Sequence, residues 1–306
     1  AKAILASYRL GDMVTAETRA KSFRKEQPQQ EDYAAQFDLE KGIYYLSVNN
    51  GQDALLAFQN VIDEYPESRF VDNARYGIGS AFAEAGDYEK AVEAFRTLVQ
   101  ESPDSDLVPS VYLKLGNIYH LQMNFEDAAF AYKRVIDDEG AGDLVPAALF
   151  NLIRTHEAAN RQDQALHWAQ ELIRRFPDYE DARRVRIKIG YLHAELGHYT
   201  EAVTALEEVL PDVDAEEESE VRYWIGESYY DSGKYDQALL EYLKVAYLGQ
   251  AGGLWALTAE FKAGQAYEAL GRIDEARRLY RRMVERYGVD SQWGQAAQER
   301  LRELGG

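Results

Sequence analysis

Eight short segments of this chain share one alanine, and the distance from each copy to the next hardly varies. The segments are "GDMVTAETRA" (11–20), "NNGQDALLAF" (49–58), "GDYEKAVEAF" (86–95), "MNFEDAAFAY" (123–132), "NRQDQALHWA" (160–169), "GHYTEAVTAL" (197–206), "GKYDQALLEY" (233–242) and "GRIDEARRLY" (271–280). Their alanines are Ala16, Ala54, Ala91, Ala128, Ala165, Ala202, Ala238 and Ala276, with spacings of 38, 37, 37, 37, 37, 36 and 38. A fixed period of this size implies stacked units, each burying its apolar face against the next. It also accounts for the length. A chain of 306 residues would otherwise be expected to split into separate compact domains.

Each position in the period has a physical reason. The first residue is Gly in five segments and Asn in two, where one helix stops and the backbone turns left-handed. The shared alanine falls inside the following helix, where a small side chain admits a second helix. Four residues on stands Phe, Tyr, Leu or Ala, filling space on the same face. Twelve residues after the alanine come Pro28, Pro66, Pro103 and Pro177, which end a helix. The other four repeats have Gly140, Asp214, Gln250 and Gly288 there, a looser stop. Twelve residues before it lie Gly42, Gly79, Gly116, Gly190, Gly226 and Gly264, with Ile153 as the exception in a full repeat. Three residues later come Tyr45, Phe82, Tyr119, His156, His193, Tyr229 and Tyr267. The glycine is expected to admit the neighbouring helix, with this aromatic packing across it. Apolar residues recur at three to four positions throughout, so no strand is expected.

These motifs resemble the tetratricopeptide repeat. "ARYGIGSAFAEAGDYEKAVEAFRTLVQESPDS" (74–105) carries its Gly, aromatic, Gly-x-Tyr, Ala and Pro positions. The resemblance covers essentially the whole chain. It implies an all-α, right-handed superhelical solenoid of helix-turn-helix repeats. The expected organisation is a single array over 1–306: a partial repeat at 1–34, full repeats from near 35, 72, 109, 146, 183, 219 and 257, and a capping helix at 291–304. Trp293 is expected to cover the end of the last repeat. The slightly long period and the junctions "EYPESRF" and "ESPDSD" look like bacterial cell-envelope members, the barrel-assembly lipoproteins and Tol–Pal coordinators. That likeness implies the periplasm or cell envelope, with the cytoplasm as the alternative. A lipoprotein would need an N-terminal cysteine, and these 306 residues contain no cysteine. The chain opens "AKAILASYRL", without Met and inside the first helix of a unit. A processed or truncated product is expected, with upstream sequence or a partner against that face.

Composition narrows the function by exclusion. With no cysteine there is no disulfide, thiolate zinc site, iron–sulfur cluster or thiol nucleophile. No apolar run reaches the length of a membrane span. Net charge is −19, and it is concentrated. Residues 1–34 and 257–306 each carry +1, leaving −21 in the middle. An acidic middle repels phosphate backbones, so nucleic acid is not an expected partner. A neutral to basic protein segment is.

No catalytic signature is present: no HExxH, Walker loop, G-x-S-x-G or dinucleotide fingerprint. His193 and His198 are five residues apart, a poor spacing for one helical face, and His193 and His156 sit where other repeats have Tyr or Phe. Packing is the simpler reading, and no metal or cofactor is expected. The acidic run "DVDAEEESE" (212–220) lacks the glycine and terminal Glu spacing of a calcium loop, and reads as a loop entering a helix N-terminus. "GQAGG" (249–253) reads as a longer, flexible connection.

The expected working surface is the groove that the first helix of each repeat lines, as the resemblance implies. The fifth position of that helix gives Leu39, Tyr76, Leu113, Phe150, Ile187, Tyr223 and Phe261. The ninth gives Asn117, Arg154 and Tyr191 among others, and the twelfth includes His120, Glu157 and Tyr230. The proposed partner-binding set is Tyr76, Asn117, Phe150, Arg154, Tyr191, Tyr223 and Tyr230, and no catalytic residue is assigned. Asn117 has Leu113 where the family's carboxylate clamp needs Lys, so capture of a C-terminal carboxylate by that clamp is not expected. The stripe could equally pack between neighbouring first helices. The function expected is therefore a non-catalytic scaffold. The alternatives are head-to-tail self-assembly into a homo-oligomer or filament, and the docking region of a larger protein.

Overall fold

A computed structural model describes residues 1–248 and 253–305. Most of "GQAGG" therefore lies outside the described residues. Every regular element among them is helical. The chain divides into two compact units, Ala1–Thr155 and His156–Gly306.

In the first unit the helices are α1 (Lys2–Arg9), α2 (Met13–Glu26), α3 (Glu31–Ser47), α4 (Gly51–Glu64), α5 (Val71–Glu84), α6 (Tyr88–Glu101), α7 (Val108–Leu121) and α8 (Phe125–Ile136). Helix α9 (Leu144–Ala158) begins in this unit and ends in the second. The second unit continues with α10 (Gln162–Arg175), α11 (Ala182–Glu195), α12 (Tyr199–Val209), α13 (Ala215–Asp231), α14 (Tyr235–Leu248), α15 (Leu254–Ala269), α16 (Ile273–Tyr287) and α17 (Gln292–Glu303). A short 3-10 turn, Leu210–Asp212, follows α12. The first helices of the full repeats start one to four residues ahead of the boundaries read from the period.

The turn inside each repeat is built the same way eight times. Gly11, Asn49, Gly86, Met123, Asn160, Gly197, Gly233 and Gly271 all have φ between 54° and 78°. Met123 is the non-glycine, non-asparagine case, held there at φ 58°. In each, the left-handed residue's N–H bonds three residues back and the next N–H bonds five back. Gly86 N to Ala83 O (3.1 Å) and Asp87 N to Phe82 O (2.9 Å) are one example. These bonds satisfy carbonyls that the helix end leaves open.

The eight alanines are all fully buried. What sits on the glycine of the first helix differs from the expectation. A Cβ on Gly42, Gly79, Gly116, Gly226 or Gly264 would come within 2.4–2.7 Å of the ring of Phe58, Phe95, Tyr132, Tyr242 or Tyr280. Leu206 plays that part for Gly190. The ring over the glycine thus comes from the second helix, four residues past the alanine. The aromatic three residues after the glycine sits instead near the turn, where Lys234 and Arg272 lie 5.7 Å and 4.8 Å from the rings of Tyr229 and Tyr267. In the first repeat the size pair is inverted. Ile4 takes the glycine's place and Ala20 the ring's, and both are buried in one cluster. The sequence makes the same exchange at Ile153 and Ala169.

The proline stops behave as expected. Gln27, Tyr65, Ser102 and Phe176, each just before Pro, share φ near −134° and ψ of 54–68°, outside the helical region. The acidic run enters α13 through Asp214, whose Oδ1 accepts from Glu217 N at 3.0 Å. Helix α17 packs on α16, and Trp293 lies in the cluster of Tyr280, Met283 and Ala297, 6.1 Å from Phe261.

Candidate functional site

Successive first helices touch directly: α3 with α5, α11 with α13, and α13 with α15. Three of the bridges between successive first helices come from the sixth position of the first helix. Asn151 Nδ2 donates to Asn117 Oδ1 at 3.2 Å in the first unit. In the second, Lys188 Nζ reaches Glu157 at 2.7 Å and Lys262 Nζ reaches Glu227 at 2.6 Å. Sequence reasoning had followed the fifth and ninth positions and missed this reach to the preceding repeat. The available signal was an Asn or Lys recurring one residue after the apolar fifth position.

In the first unit these contacts leave a cavity of about 280 Å³. Asn117, His120, Tyr132, Asn151 and Arg154 line it. Tyr132 Oη donates to Asn117 Oδ1 at 2.8 Å, so this oxygen accepts two bonds, and among the described residues the Asn117 amide nitrogen has no hydrogen-bond partner. His120 Nδ1 lies 2.9 Å from Thr155 Oγ1, and that hydroxyl donates to Asn151 O at 2.8 Å. Arg154 is exposed and, among the described residues, has no carboxylate partner. Burial, and then the Arg154 charge, lower the His120 pKa. Burial raises that of Tyr132.

The second unit has a cavity of about 400 Å³ with the opposite polarity. Tyr191 and Ile187 form its apolar wall, with Glu217, Glu220, Arg184 and Lys188 around them. The Tyr191 ring lies 5.0 Å from Trp224. Burial, then the nearby Glu220 carboxylate, push its hydroxyl far above the ordinary tyrosine value. Lys188 is already paired with Glu157, and Arg183 with Glu217.

The residues proposed from sequence fall into three groups. Asn117 and Arg154 share the first cavity, and Tyr191 lines the second. Tyr76 and Phe150 are half-buried in the first unit, Tyr76 with its ring 5.7 Å from Phe95. Tyr230 is half-buried beside Tyr235 and Lys262. Tyr223 is only 8% exposed, enclosed by Trp224, Trp255 and Tyr242, so its ring is committed to packing. His120, Asn151 and Trp224 join the site without having been proposed for it.

A further cavity of about 380 Å³ opens among α6, α7 and α8, away from the first-helix contacts. It is mainly apolar, with Tyr112, Leu115 and the 62% exposed Phe130 in its wall. His193 and His198 lie with ring centroids 5.7 Å apart, and His156 is buried. Among the described residues no group of three or more His, Asp or Glu could hold a metal ion. None of the described helices is long and apolar enough to cross a membrane.

The Tetratricopeptide repeat profile matches residues 39–106, 113–180 and 187–253, and a second profile of that description matches 258–288. No curated protein gives a significant match. Among solved structures, the C-terminal part of a TPR repeat-containing protein from Cytophaga hutchinsonii aligns with TM-score 0.62 at 11% identity, over 84% of this chain and 98% of that one. A tetratricopeptide repeat protein from Parabacteroides merdae aligns with TM-score 0.49 at 12% identity, over 89% and 99%. PilW, a type IV pilus biogenesis factor, aligns with TM-score 0.48 at 13% identity, over 76% and 100%. At 11% identity the likeness to the Cytophaga hutchinsonii protein is one of fold.

Proposed function

This chain belongs to the tetratricopeptide repeat family, and from that premise we propose that it is a non-catalytic scaffold that docks a segment of a partner protein along its first helices. The carrying observation is that each unit leaves an open cavity between consecutive first helices, with the ninth-position Asn117 and Arg154 in the wall of one and the ninth-position Tyr191 in the wall of the other. Residues that only filled space between helices would close those gaps, as Tyr223 does. In the first unit Arg154, Asn117 and the half-buried Tyr76 and Phe150 would contact the segment. In the second, Tyr191 and Tyr230 would. The acidic second cavity and the acidic middle of the chain suit a segment with some positive charge. Aromatic edges supply the burial that such docking needs.

We read the repeats as one continuous array, since the period runs without a break from Ala16 to Ala276. The cell envelope is our proposed setting, on the junction pattern and the cysteine-free composition. Cell fractionation with an antibody to the native protein tests this, and a purely cytoplasmic signal refutes it. Head-to-tail assembly is less favoured, because α17 and Trp293 already occupy the apolar surface of the last repeat.

Affinity capture tests docking. Wild type, a folded groove variant (Arg154→Ala, Tyr191→Ala, Tyr230→Ala) and a folded outer-face variant, with Ala in place of Phe130 and of Glu93, an exposed residue of the second helix α6, are compared as baits. Docking predicts one partner kept by wild type and the outer-face variant and lost by the groove variant. Loss with the outer-face variant alone would move the site to the cavity beside Phe130.

A further inference from the structure

The cavity among α6, α7 and α8, away from the first-helix contacts, has a counterpart one repeat earlier. Val99, Leu115 and Ala131 are in its apolar wall. A cavity of about 270 Å³ among α4, α5 and α6 has Ile62, Ile78 and Ala94 in its wall. Each of those three stands 37 residues before its counterpart, so one place in the repeat is hollow twice. Around the shared apolar wall the charges differ. In the earlier copy Arg75 lines the cavity and is neutralised within the protein, by Glu101 and by Asp72 at 3.5 Å. One repeat on, that arrangement is gone. Tyr112 replaces Arg75 and Pro109 replaces Asp72. Asp138 stands at the place of Glu101, and its Oδ1 accepts from Gly140 N at 2.8 Å. Two arginines arrive instead, Arg96 for Gln59 and Arg134 for Thr97. Arg96 lines the cavity and donates to Tyr119 Oη at 2.9 Å. The Arg134 guanidinium lies 5.2 Å from the ring centroid of Tyr112, itself in the wall. Among the described residues neither arginine is paired with a carboxylate. Asp127 also lines the cavity, and its Oδ2 accepts from Asn124 Nδ2 at 2.6 Å. An internally neutral site has become an apolar hollow beside two uncompensated cations, in a chain of net charge −19. The hollow is also left open. The exposed Phe130 in its wall takes the place of Glu93. The following repeat puts Trp168 where this one keeps Ala131.

We propose that this outer cavity is a binding site for an amphiphilic anion, a small molecule with an apolar chain or ring and one carboxylate or phosphate headgroup. Its volume of about 380 Å³ falls among those of small-ligand sites, which are mostly apolar with a few placed polar groups. The apolar part lies against Val99, Leu115 and Ala131, and Phe130 covers it from the rim. The headgroup meets Arg96 and Arg134, whose planar forks suit either anion. A ligand of this kind supplies the charge that Glu101 and Asp72 supply to Arg75 one repeat earlier. A membrane surface fits less well. Two cations do not offset the acidic middle of the chain, which repels anionic lipid, and a hollow among three helices admits one chain rather than a plane. The site lies outside the groove, so the proposal does not rest on the docking reading.

The test combines methyl NMR and calorimetry on the full chain, with monomeric decanoate, decyl phosphate and decanol as probes. Wild type should show intermolecular NOEs from the probe chain to the Val99 and Leu115 methyls. It should bind at least one anion about tenfold tighter than decanol, and the tighter of the two names the headgroup. The double variant Arg96→Gln, Arg134→Thr restores the residues of the preceding repeat. It should lose the preference for anions and keep the decanol affinity, a split that loss of structure would not produce. Ala131→Trp, with its helicity checked by circular dichroism, should weaken all three probes about tenfold. A wild type in which no probe touches those methyls overturns the proposal, whether or not the Trp variant folds. So does a wild type that binds neither anion more tightly than decanol, or a folded double variant that binds the anions as tightly as wild type. So does a folded Ala131→Trp variant with undiminished affinity. No protein partner is needed, so failure here leaves the capture experiment free to succeed, and the reverse.

Discussion

At one point of the repeat the two units use opposite chemistry on the same backbone. In the first, the residue before each second helix is Asp12, Asn50, Asp87 or Asn124. Each side chain accepts from a backbone N–H three residues on, at 3.2–3.5 Å. In the second, the equivalent residues are Arg161, His198, Lys234 and Arg272. Arg161, His198 and Arg272 make no such cap. A cation at a helix N-terminus opposes the helix dipole. The second unit offsets this in two ways. Carboxylates stand in the first turn, at Asp163, Glu201, Asp236 and Glu275, as Asp53, Glu89 and Asp127 do in the first unit. The cations lean on rings of the preceding helix, as Arg272 does on Tyr267. The repeat thus prescribes the left-handed turn and the buried alanine, and leaves the charge of its edge free. The two cavities differ in charge as well: Arg154 and no acid line the first, while Asp214, Glu217 and Glu220 stand with Arg184 and Lys188 in the second.

The largest expected effect tests whether the cores really are alike. Gly116→Ile and Gly226→Ile should each destabilise by about 3 kcal/mol, because the added atoms meet the rings of Tyr132 and Tyr242. Adding Tyr132→Ala to Gly116→Ile should recover most of the loss, since Ile4 and Ala20 already form that pair. Thermal unfolding followed by circular dichroism reads both. A large cost in one unit and none in the other would mean that the units do not share a core.

Capping should divide them. Asn50→Ala and Asn124→Ala should each cost about 1 kcal/mol. Lys234→Ala should stay within about 0.5 kcal/mol. Equal costs would erase the comparison.

Acid should separate them as well. The Lys90 side chain, then its backbone N–H, hold the Asp87 carboxyl below its ordinary range. A folded-state pKa that is depressed stabilises above the unfolded value and loses that contribution as pH falls through the folded one. Hydrogen exchange in the first turn of α6 should therefore accelerate as pH drops from about 4 to about 2, beyond the intrinsic pH trend of the unfolded chain. The Asp87→Asn variant should show no such excess.

The smallest effect concerns how helices end where proline is missing. Glu260, 1% exposed, accepts from Tyr247 at 2.9 Å and Tyr287 at 2.7 Å, joining the last turns of α14 and α16. Burial, then the Glu260 bond, push both hydroxyls up to about 12. Raised values stabilise below the unfolded tyrosine pKa, and that contribution is lost as pH rises through about 12. Ultraviolet titration should find these two tyrosines still protonated at about pH 11. Glu260→Gln should bring them down.

Much of the fold could be read from the chain because the period is long and its key residues act locally. Gly86 needs a left-handed backbone whatever surrounds it, and Pro103 stops a helix on its own. The ring on the glycine was misassigned because two aromatics share each repeat and only distance tells them apart. Tyr223 shows the same limit in the site. Its position in the repeat matches Tyr76, but Trp224 beside it and Trp255 on the next first helix enclose it. His120 and Asn151 escaped because their role depends on neighbours about one repeat away, Thr155 and Asn117.

The most direct test of groove docking is photo-crosslinking in living cells, with a crosslinker placed singly at Arg154, Tyr191, Glu93 and Phe130. Docking along the first helices predicts that positions 154 and 191 capture the same partner protein and that 93 and 130 capture none of it. Capture of that partner from 93 or 130, with 154 and 191 silent, would contradict it.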